Sequence, residues 1–412
     1  MRLLLSAVSC CPNYGSEPGV GWNTVREAAV DSENEVHVLV AAPWKERLER
    51  NFDSSRHPNV HFHLVSVPGF DSLMAEGKGT PLVSAFHYVL WQFWSYFAAV
   101  RLHQRLSFDL VHHVTFVKFN TFSLLPLLGI PFIWGPLGGA EHASASFYRE
   151  FGWKTRAVEW LRRLLQWIAP VQPLLRWTAK HAALAIGVTQ DTVTALRSLG
   201  ARRIDLFPAV GLNDEELALI QPATHLEGKI GLTVIYAGRL IPWKGVHLAL
   251  RALAGSGCAN VRFQIIGSGP LRQRLEQEAH QLGISDRVSF LGEVDRATLL
   301  AAYASAEGFL YPSLHDSGGN AVIEAMAAGL PVIHLAKGGP DLLVPEEAGY
   351  KVQADDPETA VCGLTQALQR FCANRSERVQ RGNKAREHAF AAHSWKSRGI
   401  KLREIYASLA IK

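Results

Sequence analysis

Two carboxylates with a spacing suited to a sugar nucleotide lie in the segment from Leu310 to Gly339. Asp316 and Glu324 are eight residues apart, the first in a polar, glycine-bearing loop and the second in a short helix predicted after it. The first amides of a helix have no partner within the helix, and the helix dipole adds to their preference for an anion such as phosphate. A carboxylate in the preceding loop can accept hydrogen bonds from sugar hydroxyls. The combination therefore predicts a site for a sugar nucleotide.

Two cations make up a second group. Arg239 and Lys244 are five residues apart in the segment G-R-L-I-P-W-K-G, on either side of Pro242. Because Pro242 favours a turn, both side chains can project from one loop at the end of a predicted strand, where α/β folds bind ligands. Cations in that position stabilise the charge that develops on a departing diphosphate. A solvated surface loop is the alternative interpretation.

Buried parallel strands are the framework that would position these side chains. Short apolar runs alternate with helical segments along the whole chain, a pattern typical of parallel sheets covered by helices on both faces. The predicted strands are residues 2–8, Val36–Ala41, Val60–Val65, Leu110–Val114, Pro131–Trp134, Leu184–Val188, Leu232–Ala237, Val261–Ile266, Val288–Leu291, Gly308–Tyr311 and Pro331–Leu335. The sequence thus predicts an α/β protein with two Rossmann-like halves and a ligand cleft between them.

Length and composition fit this interpretation. The 412 residues are enough for two domains, and 48% hydrophobic with 19% charged residues is typical of a globular α/β enzyme. A net charge of +5 is too mild for a nucleic-acid-binding protein but suits anionic small molecules or an anionic membrane surface. The five cysteines include no C-x-x-C pair, which indicates a reducing, cytoplasmic compartment.

The order and spacing of the motifs carry a resemblance to a known family. G-R-L-x-x-x-K-G is followed by G-S-G-P, and then by a loop carboxylate eight residues before E-A-M-A-A-G-L-P-V-I. This order resembles the retaining glycosyltransferases of family 4, which have the GT-B fold of two Rossmann-like domains with parallel sheets facing a central cleft. The segments G-S-E-P-G-V-G and W-G-P-L-G-G-A-E of the first half resemble one bacterial branch of that family.

The resemblance implies roles for individual residues of the donor site. Arg239 and Lys244 would bind the donor diphosphate and stabilise the leaving group, and Glu324 would hold the ribose. Asp316 would contact the transferred sugar, at a position where the family commonly has the longer Glu. The other donor-binding residues that the resemblance implies are Gly19, Gly21, Gly238, Gly267, Gly318, Gly319 and Asn320.

The first half offers candidates for the reacting sugar and the acceptor. The family has a histidine after its fourth strand, and D-L-V-H-H-V provides His112 and His113, although the commonest family spacing falls on Val114. We favour His113 as the catalytic residue and assign His112 to the acceptor, with a structural role for both as the alternative. Glu141 would meet the acceptor, or it is a loop glutamate without a partner.

The resemblance also predicts the domain boundaries and the absence of a metal. We expect an acceptor-binding domain at residues 1–208, a nucleotide-sugar-binding domain at 209–390, and a helix at 391–412 that returns to the first domain. The sequence has no convincing D-x-D motif, and Asp355-Asp356 precedes Pro357 as a helix N-cap would. We therefore expect neither a metal nor another cofactor, with the nucleotide sugar as co-substrate.

Two further segments bear on membrane contact. Trp153, Trp160 and Trp167 recur every seven residues among six basic residues in the segment 151–180, which places the indoles on one helical stripe. Either this stripe packs in a core, or the helix lies on anionic lipid. The uncharged segment Thr80–Val100 contains His87 and Gln92, so we expect an amphipathic or buried helix rather than a membrane-spanning one.

Together these features predict a retaining hexosyltransferase. It would move a hexose from a nucleotide diphosphate sugar to a carbohydrate or lipid-linked acceptor in surface polysaccharide or glycolipid synthesis, in the cytoplasm or at the inner face of the membrane. One alternative is a non-catalytic sugar-nucleotide-binding subunit of an assembly complex. Another is a sugar-nucleotide epimerase of the GT-B fold.

Overall fold

The computed structural model describes residues 1–74, 81–223 and 231–410, and its contacts divide the chain into two compact units. The first unit comprises Met1–Ala140, Leu164–Ala209 and Arg398–Lys412. The second comprises Glu141–Arg163 and Val210–Ser397. By contacts, residues 141–163 thus pack with the second unit, whereas the sequence-based boundaries place them in the first domain.

The first unit is built on a parallel sheet. In the described residues the strand order is β3-β2-β1-β4-β5-β6-β7, and all neighbouring pairs are parallel. Apolar side chains alternate between the two faces of the buried strands, so that β1 contributes Leu3 and Leu5 to one core and Leu4 to the other. The strands are β1 (Arg2–Ala7), β2 (Glu35–Ala41), β3 (Val60–Val65), β4 (Leu110–Thr115), β5 (Phe132–Leu137), β6 (Leu184–Gly187) and β7 (Ile204–Leu206).

Helices cover both faces of this sheet, as parallel strands require. They are α1 (Ser16–Ala28), α2 (Lys45–Asn51), α3 (Asp71–Met74), α4 (Pro81–Leu106), α6 (Pro173–His181) and α7 (Gln190–Leu199). Helix α5 (Trp153–Ile168) belongs to the second unit up to Arg163 and to the first unit from Leu164. The uncharged segment Thr80–Val100 falls in α4 except for Thr80, which lies outside the described residues.

The second unit repeats the plan with a sheet in the order β10-β9-β8-β11-β12-β13, again with parallel pairs. Its strands are β8 (Leu232–Ala237), β9 (Val261–Ile266), β10 (Val288–Gly292), β11 (Gly308–Tyr311), β12 (Val332–Leu335) and β13 (Gly349–Val352). Its helices are α8 (Asp214–Leu219), α9 (Val246–Gly255), α10 (Arg272–Gln281), α11 (Arg296–Ser305), α12 (Asn320–Ala327), α13 (Gly338–Leu343), α14 (Pro357–Ala373) and α15 (Arg375–Ala392).

The last helix, α16 (Trp395–Ala410), contributes to the core of the first unit. Leu402, Ile405, Tyr406 and Leu409 are buried there with the apolar residues of the central strands.

The helix N-cap predicted at Asp356 is confirmed, because the Asp356 carboxylate accepts a 2.8 Å hydrogen bond from the Thr359 amide. None of the helices in the described part of the chain has the length and apolar character needed to span a bilayer.

The loop after β1 is shorter than the sequence suggests. Cys10 to Gly21 reads as a loop, but α1 already begins at Ser16. A proline is tolerated in the first turn of a helix, where its missing N–H has no intrahelical acceptor, so Pro18 does not delay the helix start. Gly19 and Gly21 consequently lie inside α1 and not in the loop.

Candidate functional site

A tight turn after β8 brings the predicted cation Lys244 to the end of β11. Pro242–Lys244 form one 3₁₀ turn, and Gly245 follows with a φ of +69°. A Cβ at Gly245 would collide with the Pro312 carbonyl oxygen, so only glycine permits this approach. The Leu314 amide donates a 2.8 Å hydrogen bond to the Trp243 carbonyl, which fixes the two loops to each other.

Lys244, Tyr311 and Asp316 form one hydrogen-bonded group. The Lys244 ammonium donates to the Asp316 carboxylate and, over 2.6 Å, to the Tyr311 hydroxyl. The Tyr311 hydroxyl in turn donates to Asp316 Oδ2 over 2.6 Å. Burial, followed by the charge of Asp316, holds the pKa of Tyr311 well above its usual range, so this hydroxyl stays a donor. The structure thus brings together a predicted diphosphate ligand and the predicted sugar ligand.

Arg239 differs from Lys244 in its surroundings. Its side chain is exposed at the end of β8, and its guanidinium has no hydrogen bond or ion pair with any residue in 1–74, 81–223 or 231–410. An unpaired guanidinium can bind a phosphate in bidentate fashion without first giving up an internal partner. Arg239 is therefore available to an anion, whereas Lys244 must first leave a carboxylate.

Glu324 is held by two residues of α11. Arg296 Nη1 donates to Glu324 Oε1 over 2.7 Å, and the Tyr303 hydroxyl donates to Oε2 over 3.2 Å. Burial raises the pKa of Glu324, and the Arg296 charge partly offsets that effect. A carboxylate has about four lone-pair positions, so two remain for additional donors such as ribose hydroxyls. No sequence pattern marks Arg296, which lies on a helix of ordinary composition.

The loop before α12 is anchored by residues from the segment 141–163. Ser317 donates a 2.5 Å hydrogen bond to Glu141 Oε2, so Glu141 is buried and bonded to the loop that carries Asp316. Arg162 donates to the Glu141 carbonyl over 2.7 Å and to His315 over 2.8 Å. His315 also lies 3.2 Å from Glu159. This network, absent from the sequence-based set apart from Glu141, fixes the geometry of the loop.

The predicted glycines of the second unit fall into two groups. Gly238 and Gly267 have φ values of +155° and +129°, and a Cβ on Gly267 would collide with the Gly238 carbonyl, so the close approach of the β8 and β9 loops at this point requires glycine at 267. Gly318 and Gly319 end the Asp316 loop, and Gly319 caps α12. Asn320 is the exposed first residue of α12.

The two histidines of β4 point to different surroundings, as successive residues of a strand do. His112 is fully engaged, with Nδ1 2.7 Å from the Tyr406 hydroxyl and Nε2 2.6 Å from the Gly135 carbonyl oxygen. His113 is also buried, with Nε2 3.4 Å from the Phe116 carbonyl, and burial lowers its pKa to about 4. Both rings are therefore neutral at pH 7, and their assigned roles stay predictions.

Gly19 and Gly21 allow α1 to pack tightly on the loop before it. A Cβ at Gly19 would collide with the Tyr14 carbonyl oxygen, and one at Gly21 would meet the Ser9 carbonyl oxygen. Between the loop and these glycines, Glu17 accepts a 3.0 Å hydrogen bond from the Val117 amide. Burial raises the pKa of Glu17, and the hydrogen bond from Val117 and the charge of Lys118 offset part of this increase.

A cavity of about 510 Å³ lies in the first unit, where the chain leaves the carboxyl ends of β1, β2 and β4. Ligands bind at this end of the strands in open α/β sheets. The lining combines aromatic rings with a few polar groups, the composition of a small-molecule site. The aromatic residues of the lining are Tyr14, Trp44, Tyr88 and Phe116. The lining also contains the carboxylate of Glu17, the guanidinium of Arg47 and the imidazole of His87. The sequence analysis names His87 only as a polar residue of the segment Thr80–Val100 and predicts none of these residues as part of a site.

The stripe of tryptophans lies on α5 as predicted, but it is not part of a core. Trp153, Trp160 and Trp167 are 75%, 65% and 79% exposed, so the core-packing interpretation of the stripe is wrong. Three more apolar side chains of the helix, Val158, Leu161 and Leu165, are also exposed. Of the nearby basic residues, Lys154 and Arg163 are exposed, whereas Arg162 belongs to the His315 network.

Comparison with known families identifies the segment that carries the Lys244 and Asp316 site. Residues 221–388 match the family described as Glycosyl transferases group 1. These residues form a group 1 glycosyl transferase domain. The glycosyl transferase segment contains every donor-binding residue predicted in the second half of the chain, from Gly238 to Glu324.

Curated relatives align with part of the chain. An uncharacterized glycosyltransferase of Methanocaldococcus jannaschii is 32% identical over 164 residues, which is 39% of this chain and 41% of that protein. The 2-deoxystreptamine glucosyltransferase of Streptomyces kanamyceticus is 31% identical over 175 residues, 40% of this chain and 45% of that protein. The chain thus spans less than half the length of these curated relatives.

The fold is shared over the whole chain. The sucrose-phosphate synthase of Thermosynechococcus elongatus superposes with a TM-score of 0.67 at 20% identity, covering 99% of this chain and 98% of that one. At these identities the likeness concerns the fold alone. It confirms the predicted α/β fold class, GT-B with two Rossmann-like domains.

Proposed function

We propose that the protein is a retaining glycosyltransferase that moves a hexose from a nucleotide diphosphate sugar to a carbohydrate or lipid-linked acceptor. The observation that carries the proposal is the Lys244–Tyr311–Asp316 group, which places an ammonium and a carboxylate side by side in a group 1 glycosyl transferase domain. An ammonium can neutralise a diphosphate, and a carboxylate can accept hydrogen bonds from sugar hydroxyls.

In the proposed reaction the donor replaces the internal ion pair. The diphosphate binds Lys244 and the unpaired Arg239, and Asp316 turns to the hydroxyls of the hexose near the reacting carbon. Both cations lie where negative charge grows as the diphosphate leaves, which lowers the barrier by electrostatic stabilisation. The acceptor hydroxyl attacks on the face from which the diphosphate leaves and gives its proton to the departing phosphate oxygen, so the new glycosidic bond has the configuration of the old one. Because two protein cations neutralise the diphosphate, we propose that no metal takes part.

The ribose end of the donor would meet Glu324. Arg296 and Tyr303 fix the direction of this carboxylate, and its remaining lone pairs accept the ribose hydroxyls. The Glu141–Ser317 hydrogen bond holds the Asp316 loop in position for the sugar. Such positioning contributes to the rate because the reacting groups need little reorganisation.

The acceptor would enter the 510 Å³ cavity of the first unit. Its four aromatic rings suit the apolar faces of a sugar or the first carbons of a lipid, and Glu17 can accept a hydrogen bond from an acceptor hydroxyl. The Anabaena protein HepE, whose structure was solved in complex with UDP and glucose, shares the fold with a TM-score of 0.59 at 18% identity, covering 99% of this chain and all of that one. This neighbour supports a nucleotide-sugar donor for the present chain.

Donor turnover tests the proposal. Purified protein incubated with UDP-, GDP- and ADP-hexoses should release the nucleoside diphosphate slowly from one of them, and Lys244→Ala should abolish the release. Tight donor binding without any turnover would favour a non-catalytic binding subunit instead. Conversion of one nucleotide sugar into another would identify an epimerase.

We also propose that α5 binds the enzyme to the inner, cytoplasmic face of an anionic membrane. A lipid-linked acceptor of surface polysaccharide or glycolipid synthesis would lie at this face. Three exposed indoles on one stripe, flanked by Lys154 and Arg163, are typical of an interfacial helix. Co-sedimentation with anionic vesicles should exceed that with neutral vesicles.

A double variant tests which residues make this membrane contact. Trp160→Ser with Trp167→Ser should abolish co-sedimentation, because it removes two exposed indoles from the stripe. Leu219→Ser, a change of one exposed apolar side chain on α8, should leave it unchanged. Equal sedimentation with both lipids, or an unaffected double variant, would contradict the membrane proposal.

A further inference from the structure

Four side chains with metal-binding atoms lie together at the edge of the first sheet. Glu35 and His37 alternate along β2, and His61 and His63 alternate along the edge strand β3. The register pairs His37 with His61 and Leu39 with His63, so the four side chains share one face of the sheet. None of these residues takes part in the proposed reaction.

The distances between the ligand atoms of Glu35, His37 and His61 are close to those in a metal site. Glu35 Oε1 lies 3.1 Å from His37 Nε2 and 3.9 Å from His61 Nε2, and one ligand atom from each of the three residues lies within 4.8 Å of the other two. A tetrahedral Zn²⁺ with bond lengths of about 2.0–2.1 Å requires about 3.3 Å between neighbouring ligand atoms. The His61 side chain is 44% exposed, which leaves its ring room to turn toward the other two ligand atoms.

Hydrogen bonds between protein groups do not account for one buried ring nitrogen of His37. His37 is 4% exposed, and its Nε2 makes no well-aligned hydrogen bond with any residue in the described part of the chain, although Glu35 Oε1 is 3.1 Å away. An imidazole nitrogen buried next to a carboxylate and a second imidazole is in the surroundings of a metal ligand.

Neighbouring residues orient these ligands. His37 Nδ1 lies 2.9 Å from His63 Nε2, so a proton shared by these two atoms leaves His37 Nε2 with its lone pair free. Arg2 Nε donates to Glu35 Oε2 over 3.0 Å, which turns Oε1 toward the histidines. Outer partners of this kind fix the orientation of a ligand ring and the direction of a ligand carboxylate.

We propose that Glu35, His37 and His61 bind one divalent transition-metal ion of the Zn²⁺ type, with solvent as the fourth ligand. Two imidazoles and one carboxylate suit Zn²⁺ and its neighbours in the first transition row better than Mg²⁺ or Ca²⁺, which prefer oxygen ligands. The ion would join the edge strand β3 to β2. This site lies in the first unit and includes none of the donor-binding residues, so it is a structural or regulatory site.

Isothermal titration of the tag-free, chelator-treated full chain with Zn²⁺ alone tests the proposal. One equivalent should bind with micromolar or tighter affinity, and Mg²⁺ should give no heat. His61→Phe keeps a ring stacked on His37 but removes the nitrogen, and Glu35→Gln removes the charge, so each should weaken Zn²⁺ binding at least about tenfold. His181→Phe, at an exposed histidine on α6, should leave the affinity unchanged.

Co²⁺ titration gives a second readout that does not depend on stability. A tetrahedral or five-coordinate Co²⁺ on histidine and carboxylate ligands absorbs visible light far more strongly than the hydrated ion, and this absorption should be lost in His61→Phe. Failure of the wild type to bind one equivalent of Zn²⁺ would overturn the proposal. Equal affinity in wild type and His61→Phe would also overturn it, because the ion would then be bound elsewhere.

Discussion

Removing the Asp316 carboxylate should tighten nucleoside diphosphate binding while it lowers turnover. In the structure Lys244 is paired with Asp316, so a diphosphate gains the ammonium only by displacing this carboxylate. Asp316→Asn keeps the shape and an acceptor for the Tyr311 hydroxyl but removes the competing charge. The same change removes an ionised acceptor for the sugar, so the donor reaction should slow.

The size of the effect follows from the exposure of the pair. The side chains of Lys244 and Asp316 are 14% and 22% exposed, so the pair is neither fully solvated nor fully buried. Hydrogen bonds to charged groups contribute about 1.5–3 kcal/mol, and solvent screening reduces this to about 1–2 kcal/mol. The dissociation constant of the nucleoside diphosphate should therefore fall about 5- to 30-fold.

Isothermal titration calorimetry with UDP, GDP and ADP measures the change in diphosphate affinity. The turnover of the matching sugar nucleotide measures the loss of activity. Asp355→Asn is the matched control, because it removes the partner of Lys337 in the same unit, 3.4 Å away, without touching the site. Unchanged or weaker diphosphate binding by Asp316→Asn would refute the displacement of Asp316 by the donor. Weaker binding by Lys244→Ala is required as well.

Three further changes probe the ribose contact, a structural ion pair and the glycine turn. Glu324→Gln should weaken nucleoside diphosphate binding about tenfold and leave pyrophosphate binding unchanged in titration calorimetry, since only the ribose contact is lost. Against the effect of burial, His247 and Arg251 lower the pKa of Glu150 to about 2, so its stabilisation is complete above pH 4.5 and is lost as the pH falls through 2. Glu150→Gln should therefore lower the free energy of unfolding in urea by about 3 kcal/mol at pH 7 and by clearly less at pH 3. Gly245→Ala should cost about 1–3 kcal/mol by the same measurement and weaken diphosphate binding, because the φ of +69° and the Pro312 carbonyl both oppose a Cβ.

The central strands were predictable because a buried parallel strand is apolar on both faces. Val36–Ala41 and Leu232–Ala237 are apolar except for His37 and Thr233, and they form β2 and β8 with bounds that differ by one residue at most. The strands β7 and β13 were not predicted. Both lie at sheet edges, and their sequences I-D-L and G-Y-K-V contain a charged residue, so no apolar run marks them.

The donor-site residues were predicted from motifs, but their pairing was not. Lys244 and Asp316 are 72 residues apart in sequence, and only the approach of the β8 and β11 loops brings them together. Neither Arg296 nor the cavity residues of the first unit have a sequence signal, because an arginine in the first turn of a helix and an aromatic residue in a loop are ordinary. The tryptophan stripe shows the same limit, since a period of seven residues defines a face without stating whether protein or solvent covers it.

The most direct test of the proposed function is proton NMR of the donor reaction in real time. The anomeric signals report which donor is consumed and the configuration of the first sugar product, before mutarotation mixes the forms. We predict that an α-linked nucleotide diphosphate hexose gives an α-configured product in the wild type and that Lys244→Ala forms none. A product of inverted configuration, or turnover that persists in Lys244→Ala, would contradict a retaining glycosyltransferase that acts through the Lys244–Asp316 site.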